Sequence, residues 1–431
     1  MRFISTSGRS PPADLREALF RGLAPDGGLY LPEALRPLPP KLLSGLRGAP
    51  FPGTAFTVAT HLLEGALPAP ELERVVGEAL DFPIPLVWLT DRVYVLELFH
   101  GPTCAFKDVG ARFMARLIAR YRARDDPPLT MLVATSGDTG GAVAHAFFDL
   151  PGTRVVVLYP EGKVSPLQER QFTTLGGNVT ALAVAGTFDD CQRLVKQAFA
   201  DPDLRHLRLT SANSINIGRL LPQIFYYFHA WAQLPETPPE LILSVPSGNF
   251  GNLTAGLMAK RLGLPVTKFV AATNLNDVVP EYLATGIFTP RASVATLSTA
   301  MDVGNPSNFP RMLSLYGGDV DRMREDVDGH AYTDDQTRAV LARAYADWGY
   351  LLDPHSTVAC LGLAQAMSDR AHATGVFLAT AHPAKFAEVV EPRIGRKLEL
   401  PARLAACLAR EPHVARVGNT LEELKALLRW S

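Results

Sequence analysis

The sequence predicts an α/β protein made of two parallel-sheet α/β units preceded by a mainly helical N-terminal region. Three observations carry this. From Val93 onward, short continuous apolar runs alternate with stretches of helical period, the pattern left by buried parallel strands and their crossover helices. Roughly the first 90 residues instead read as amphipathic helices broken by Pro and Gly. A Pro-rich stretch, "LPETPPE" at 234–240, then separates two blocks of alternation. The expected partition is therefore 1–92, 93–235 and 236–431.

The elements follow in order. "PADLREALFRGL" and "APELERVVGEALDF" are helical in period, and "APDGGLYLPE" between them is a turn cluster. Then "TMLVAT" precedes "GGAVAHAFFDL", "RVVVLYP" precedes "SPLQERQFTTL", and "VTALAVA" precedes "FDDCQRLVKQAFA". After Pro235 "ELILSV" precedes "LTAGLMAKRLG", and "TKFVAA" precedes "VVPEYLATG". Periodicity weakens over 289–329. Thr333 followed by Gln336 is a capping-box signature for a helix from Thr333, and "VFLAT" (376–380) is a late strand.

Composition excludes several classes. The 431 residues carry a net charge of −1, with 47% hydrophobic and 20% charged residues, so the chain is globular and no nucleic-acid partner is expected. The four cysteines, Cys104, Cys191, Cys360 and Cys407, form no CxxC and no zinc spacing; no metal site is expected, and a reducing, cytoplasmic setting is. No apolar run approaches the ~18 residues that span a bilayer, and "MRFISTSGRS" lacks the apolar core of a signal peptide.

Open parallel sheets bind ligands at the carboxyl ends of their strands, so three loops there bear on function. "SVPSGNFGN" (244–252) sets Gly248 and Gly251 among Asn249, Phe250 and Asn252 directly before a helix. Glycines let the backbone approach an anion, and the helix start supplies free N–H groups and dipole; the alternative is a tight turn with glycine caps. GxxxxGK[ST] and GxGxxG are both absent, which removes support for a P-loop or a nicotinamide dinucleotide site. "ATSGDTGG" (134–141) offers Ser136, Asp138 and Thr139 to a carboxylate, or simply caps the next helix. "LATAHPAKF" (378–386) is the third loop.

Lys107 stands in "FHGPTCAFKDVGARF" with apolar neighbours Cys104, Ala105, Phe106 and Val109, at the start of a helix whose apolar face is Val109, Phe113, Leu117 and Tyr121. Most lysines are surface charges. A buried one loses proton affinity, and the neutral amine is what a Schiff base with an aldehyde requires.

Five motifs in order, "FHGPTCAFKDVGARF", "TSGDTG", "PSGNFGN", "MDVGNPSN" and "ATAHPAKF", resemble the threonine synthase family, as do "ISTSG" and "GLAPDGGLYLPE" near the N-terminus. The resemblance spans nearly the whole chain. It implies the tryptophan-synthase-β-like fold, with pyridoxal 5′-phosphate (PLP) in the cleft between the two units. Lys107 would form the Schiff base and carry protons. Gly248, Asn249, Phe250, Gly251 and Asn252 would hold the cofactor phosphate, and Thr380 would bond the pyridine nitrogen. Ser136, Asp138 and Thr139 would surround the substrate carboxylate and the cofactor's 3′-oxygen. Phe106 would pack near the ring or in the core. Asp138 stands where the wider fold has asparagine, so a proton is needed on it or on that oxygen. Cys104 reads as a small core hydrophobe.

The implied substrate is O-phospho-L-homoserine, converted with water to L-threonine and phosphate by γ-elimination and β-addition. Its phosphate needs a second anion site, for which "EGKVSPLQ" offers Lys163, Ser165 and Gln168, and "SANSINIGRL" offers Asn213, Asn216 and Arg219. As single residues, Lys163 and Arg219 read equally as solvated charges. "MDVGNPSNFPRM" is expected to line the site. Three alternatives stay open: a phospho-lyase releasing 2-oxobutyrate, a serine/threonine dehydratase-like enzyme, and a non-catalytic metabolite-binding protein. A monomer or homodimer is expected, without effector control of the kind carried by N-terminal extensions.

Overall fold

The computed structural model describes residues 1–123 and 125–430. Among these, the strands are β1 (Phe3–Ser5), β2 (Tyr30–Pro32), β3 (Leu86–Thr90), β4 (Val93–Glu97), β5 (Leu129–Ala134), β6 (Thr153–Pro160), β7 (Val179–Val184), β8 (Leu209–Ser211), β9 (Glu240–Pro246), β10 (Lys268–Thr273), β11 (Val327–Ala331), β12 (Ala373–Ala379) and β13 (Val414–Val417). They form a small antiparallel pair, β1–β2, and two larger sheets with spatial orders β11-β10-β9-β12-β4-β3 and β13-β7-β6-β5-β8. All neighbours in the larger sheets run parallel except β3, which pairs antiparallel with β4. The α/β class with parallel sheets is as the apolar runs predicted. β5, "LTMLVA", is buried at every position, because a strand covered by helices on both faces has no polar side.

The strands do not divide between the sheets at residue 235. β4, expected with the 93–235 unit, lies beside β12, and β13 crosses back to lie beside β7. A central strand must satisfy hydrogen-bonding groups on both edges, and β12 takes β9 on one edge and β4 on the other. Hydrophobic period says that Val93–Glu97 is a strand and carries nothing about which sheet receives it. The "LPETPPE" stretch is the short connection from the helix Gln223–Gln233 into β9.

The helix Lys107–Tyr121 ties the N-terminal region to this core. Val109, Phe113 and Leu117 are buried on its inner face. Arg112, Arg116 and Arg120 line another face and pair with Asp81, Glu78 and Glu71 of the N-terminal region. The helix Asp334–Trp348 begins with the expected capping box between Thr333 and Gln336. The weakly periodic stretch holds two short helices, Phe309–Tyr316 and Val320–Asp326, before β11.

Burial and exposed pairing contribute very differently here. Phe113→Ala is expected to lower the unfolding free energy by about 3–5 kcal/mol, and Arg120→Ala by less than about 1 kcal/mol; the denaturant midpoints of the two variants check this.

Candidate active site

The segment before Lys107 is held at both ends. Asp108 accepts from the Thr103 amide (2.8 Å) and hydroxyl (2.7 Å), folding the chain back onto the first turn of the helix. A Cβ on Gly101 would lie 2.4 Å from Asp108 Oδ2, so only glycine fits there. Cys104 takes a left-handed backbone, φ 56°. The next residues are stitched to the third loop: Phe106 N–H donates to the Thr380 carbonyl (2.8 Å), and His382 N–H donates to the Cys104 carbonyl (3.1 Å). Lys107 is thereby fixed beside Thr380. Burial pushes the Cys104 thiol up to about 11, so it behaves as the small hydrophobe the sequence suggested.

Lys107 opens into a cavity of about 650 Å³. Phe106, Ser136, Asp138, Thr139, Lys163, Asn213, Arg219, Gly248, Asn249, Phe250, Gly251, Asn252 and Thr380 all line it, so most of the residues singled out in the sequence meet at one place. Burial, opposed by Asp138 and reinforced by Lys385 and Arg219, pushes the Lys107 amine down to about 8. Its Nζ lies 5.9 Å from the Phe106 ring centroid.

The loop after β9 makes a cradle. Phe250 adopts the left-handed region (φ 60°), turning the chain so that the helix Gly251–Arg261 starts at the cavity. A Cβ on Gly248 would lie 2.7 Å from Met301 Cα. The Asn249 side chain accepts from the Ser307 hydroxyl (2.9 Å), which draws the 301–307 stretch against the cradle and onto the cavity wall. Asn252 Oδ1 accepts from Tyr226 (2.5 Å) and Tyr227 (2.7 Å), while its Nδ2 is buried with no partner. Arg219 is likewise buried with its Nε unpartnered, and among the described residues no carboxylate forms an ion pair with it. Burial, partly offset by Asp108, pushes its guanidinium down to about 10. Unpaired buried donors at a helix start and on a buried guanidinium are the equipment of anion sites.

Three expected substrate contacts lie elsewhere. Asn216 is fully enclosed; it caps Gly218 N–H and donates to the Leu19 and Ser211 carbonyls. Ser165 caps the helix Pro166–Thr173 and donates to Gln168 Oε1 (2.9 Å). Gln168 in turn donates to Asp138 Oδ1 (2.8 Å). The two stretches expected to hold the substrate phosphate do reach the cavity, but these three side chains turn into the structure that supports it.

Two residues of the site escaped the sequence reading. Lys385 is fully buried, with Nζ 2.6 Å from Asp138 Oδ1 and 2.9 Å from the Thr103 carbonyl. Burial alone would raise the Asp138 carboxyl, but the ammonium groups of Lys385 and Lys107, with the bonds from Lys385 and Gln168, hold it well below the usual carboxylate range. Arg311 is fully buried and donates to the carbonyls of Tyr30 (3.0 Å), Ser214 (3.0 Å) and Ile215 (2.6 Å), binding β2 of the N-terminal strand pair to the cavity wall. Among the described residues no group of His, Cys, Asp and Glu could hold a metal ion, and no helix is long and apolar enough to cross a membrane.

Comparison with known proteins places this geometry. Residues 82–380 match the family model for pyridoxal-phosphate dependent enzymes, residues 2–80 that for the threonine synthase N terminus, and residues 358–428 that for the threonine synthase C-terminal region. The chain is 47% identical over 407 residues to the threonine synthase of Serratia marcescens, covering 94% of each protein. It matches the crystal structure of threonine synthase from Escherichia coli with a TM-score of 0.93 and 44% identity, covering 100% of this chain and 99% of that one. It also matches the PLP-bound threonine synthase structure from Brucella melitensis with a TM-score of 0.93 and 37% identity, covering 100% and 99%.

The chain's own residues fit the cofactor: an amine lowered to about 8, a glycine cradle against Met301, and an orphaned Asn252 amide at a helix start. Gly248→Ala puts a methyl group 2.7 Å from Met301 Cα, closer than the two carbons can pack. Overpacking of this kind costs roughly 1–3 kcal/mol, so PLP affinity is expected to fall by about tenfold or more, read by absorbance titration of the cofactor-free protein.

Proposed function

The chain belongs to the threonine synthase family of pyridoxal-phosphate dependent enzymes, and from that premise we propose that it converts O-phospho-L-homoserine and water to L-threonine and phosphate. The observation that carries the choice of substrate is the second set of basic groups in the cavity. The cradle uses backbone and Asn252 for one phosphate, and Arg219 and Lys163 remain on the same cavity for another. A dehydratase acting on serine or threonine has no need of them.

Lys107 would hold the cofactor aldehyde, Gly248–Asn252 its phosphate, and Thr380 its ring nitrogen. When bound, PLP supplies an electron sink for the pair left behind as protons leave the substrate α- and β-carbons. The remaining work falls to side chains. Lys107, as a neutral amine, takes the α-proton and moves protons between the substrate carbons. Ser136 and Thr139 hold the substrate carboxylate, which orients the α-bond. Arg219, with Lys163 and Asn213, binds the γ-phosphate and stabilises it as the Cγ–O bond breaks. Water then adds its oxygen at the β-carbon while the γ-carbon becomes the methyl group. One phosphate leaves and one water enters, so the atoms balance.

The four cysteines are free and buried, which suits the reducing cytoplasm we propose as the setting. With the near-neutral charge balance we propose no nucleic-acid partner, and a monomer or homodimer as the working unit.

The test is a product assay. PLP-loaded protein mixed with O-phospho-L-homoserine is expected to yield threonine and inorganic phosphate by NMR, with Lys107→Ala slower by about a thousandfold or more. Release of 2-oxobutyrate instead would move the protein to the phospho-lyase branch and overturn the reading.

A further inference from the structure

One carboxylate and two lysines meet at the cavity wall. Asp138 has two candidate partners: Lys107, on the helix Lys107–Tyr121, and Lys385, in the 3₁₀ turn Pro383–Phe386. The geometry gives it to Lys385. Lys385 Nζ is 2.6 Å from Asp138 Oδ1, whereas among the described residues no ion pair within 4.0 Å joins Asp138 to Lys107. Lys385 is enclosed to 0% side-chain exposure, and its other partner is the Thr103 carbonyl. Thr103 is itself bound by Asp108, in the first turn of the Lys107 helix. Gln168 donates to the same Asp138 oxygen, so both fixed bonds fall on Oδ1.

Enclosing a lysine is costly unless its charge is paired. Here the enclosed ammonium pairs with a carboxylate on which Lys107 is the other lysine acting. An amine locked in an ion pair is protonated and cannot attack an aldehyde. We propose that Lys385 is a positioning residue: it is the counter-ion that claims Asp138 and leaves the Lys107 amine free for the cofactor aldehyde. The inference rests on the reading of Lys107 as the cofactor-linking lysine.

The charged groups facing Lys107 are Asp138, Lys385 and Arg219. Around Lys385 stand Asp108, Cys104, His145, His382 and Cys407, whose thiol burial pushes up. Burial pushes the Cys104 thiol up to about 11 and His145 down to about 4, so neither brings charge near neutral pH. The balance at Lys107 is therefore set by the Asp138–Lys385 pair and Arg219.

The test uses the cofactor-free protein. Lys107 is pulse-labelled by reductive methylation with formaldehyde across a pH series from about 6 to 10, and its labelled fraction is read by peptide mass spectrometry. The unaltered chain is expected to show a midpoint near 8. Lys385→Met frees Asp138 to pair with Lys107; the midpoint is expected to rise by about one unit or more, a tenfold loss of free amine at a given lower pH. Adding Asp138→Asn is expected to bring it back to the original value or below. Lys385→Arg keeps the charge and is expected to stay near the original midpoint. If Lys385→Met fails to fold, Lys385→Gln serves with the same expectation. An unmoved midpoint overturns the proposal. So does a double variant as high as the single one, since that means loss of Lys385 merely admits water. Failure of the cofactor reading shows separately, as absence of the long-wavelength absorbance of a lysine-bound aldehyde when PLP is added to the unaltered chain.

Discussion

The site depends on the burial of charge between two sheets. Taking a carboxylate and a lysine out of water is tolerated only if partners are arranged in advance, and the chain arranges them as a relay. Ser165 orients Gln168, Gln168 and Lys385 hold Asp138, and Lys385 also binds the carbonyl of Thr103, which Asp108 ties to the first turn of the Lys107 helix. Each member fixes the next. The result is a carboxyl on Asp138 held well below its usual range by its ammonium neighbours, near a lysine whose amine burial pushes down to about 8.

Topology brings the relay together. β4 leads into the Lys107 segment and lies beside β12, which leads into Thr380 and Lys385. Adjacent parallel strands deliver their loops to the same end of a sheet, so the bonds from Phe106 to Thr380 and from His382 to Cys104 follow from that neighbourhood. β5 delivers Ser136, Asp138 and Thr139 from the other sheet. Arg311 closes the arrangement from the third side, clamping β2 at Tyr30 to the segment that carries Asn213 and Ser214.

Much of this was legible in the sequence, for identifiable reasons. Strands buried along almost their whole length, such as β5, β6 and β9, leave near-continuous apolar runs, and glycine loops mark the places where backbone must come close to something. Strands at sheet edges leave weaker traces: β11 is mostly half-exposed and β13 is exposed at two of its four positions, so neither reads as an apolar run. The sheet that receives β4 is set by long-range pairing, which no local pattern encodes. Ser165, Gln168 and Asn216 belong to polar stretches suited to a phosphate, but a stretch of sequence does not say which way a side chain turns. Lys385 was overlooked inside a motif already in view. A lysine in "AHPAKF" looks like any surface lysine until the fold shows it enclosed against Asp138.

An enclosed lysine and a half-buried one near the same carboxylate make the central claim sharp: Lys107, and not Lys385, carries the aldehyde. The most direct measurement is to load the protein with PLP, reduce the adduct with borohydride, digest it, and locate the phosphopyridoxyl group by mass spectrometry. The expected result is a label on the peptide containing Lys107 and none on the peptide containing Lys385. A label on Lys385 would contradict the account, because the residue assigned to hold Asp138 would then be the one that reacts.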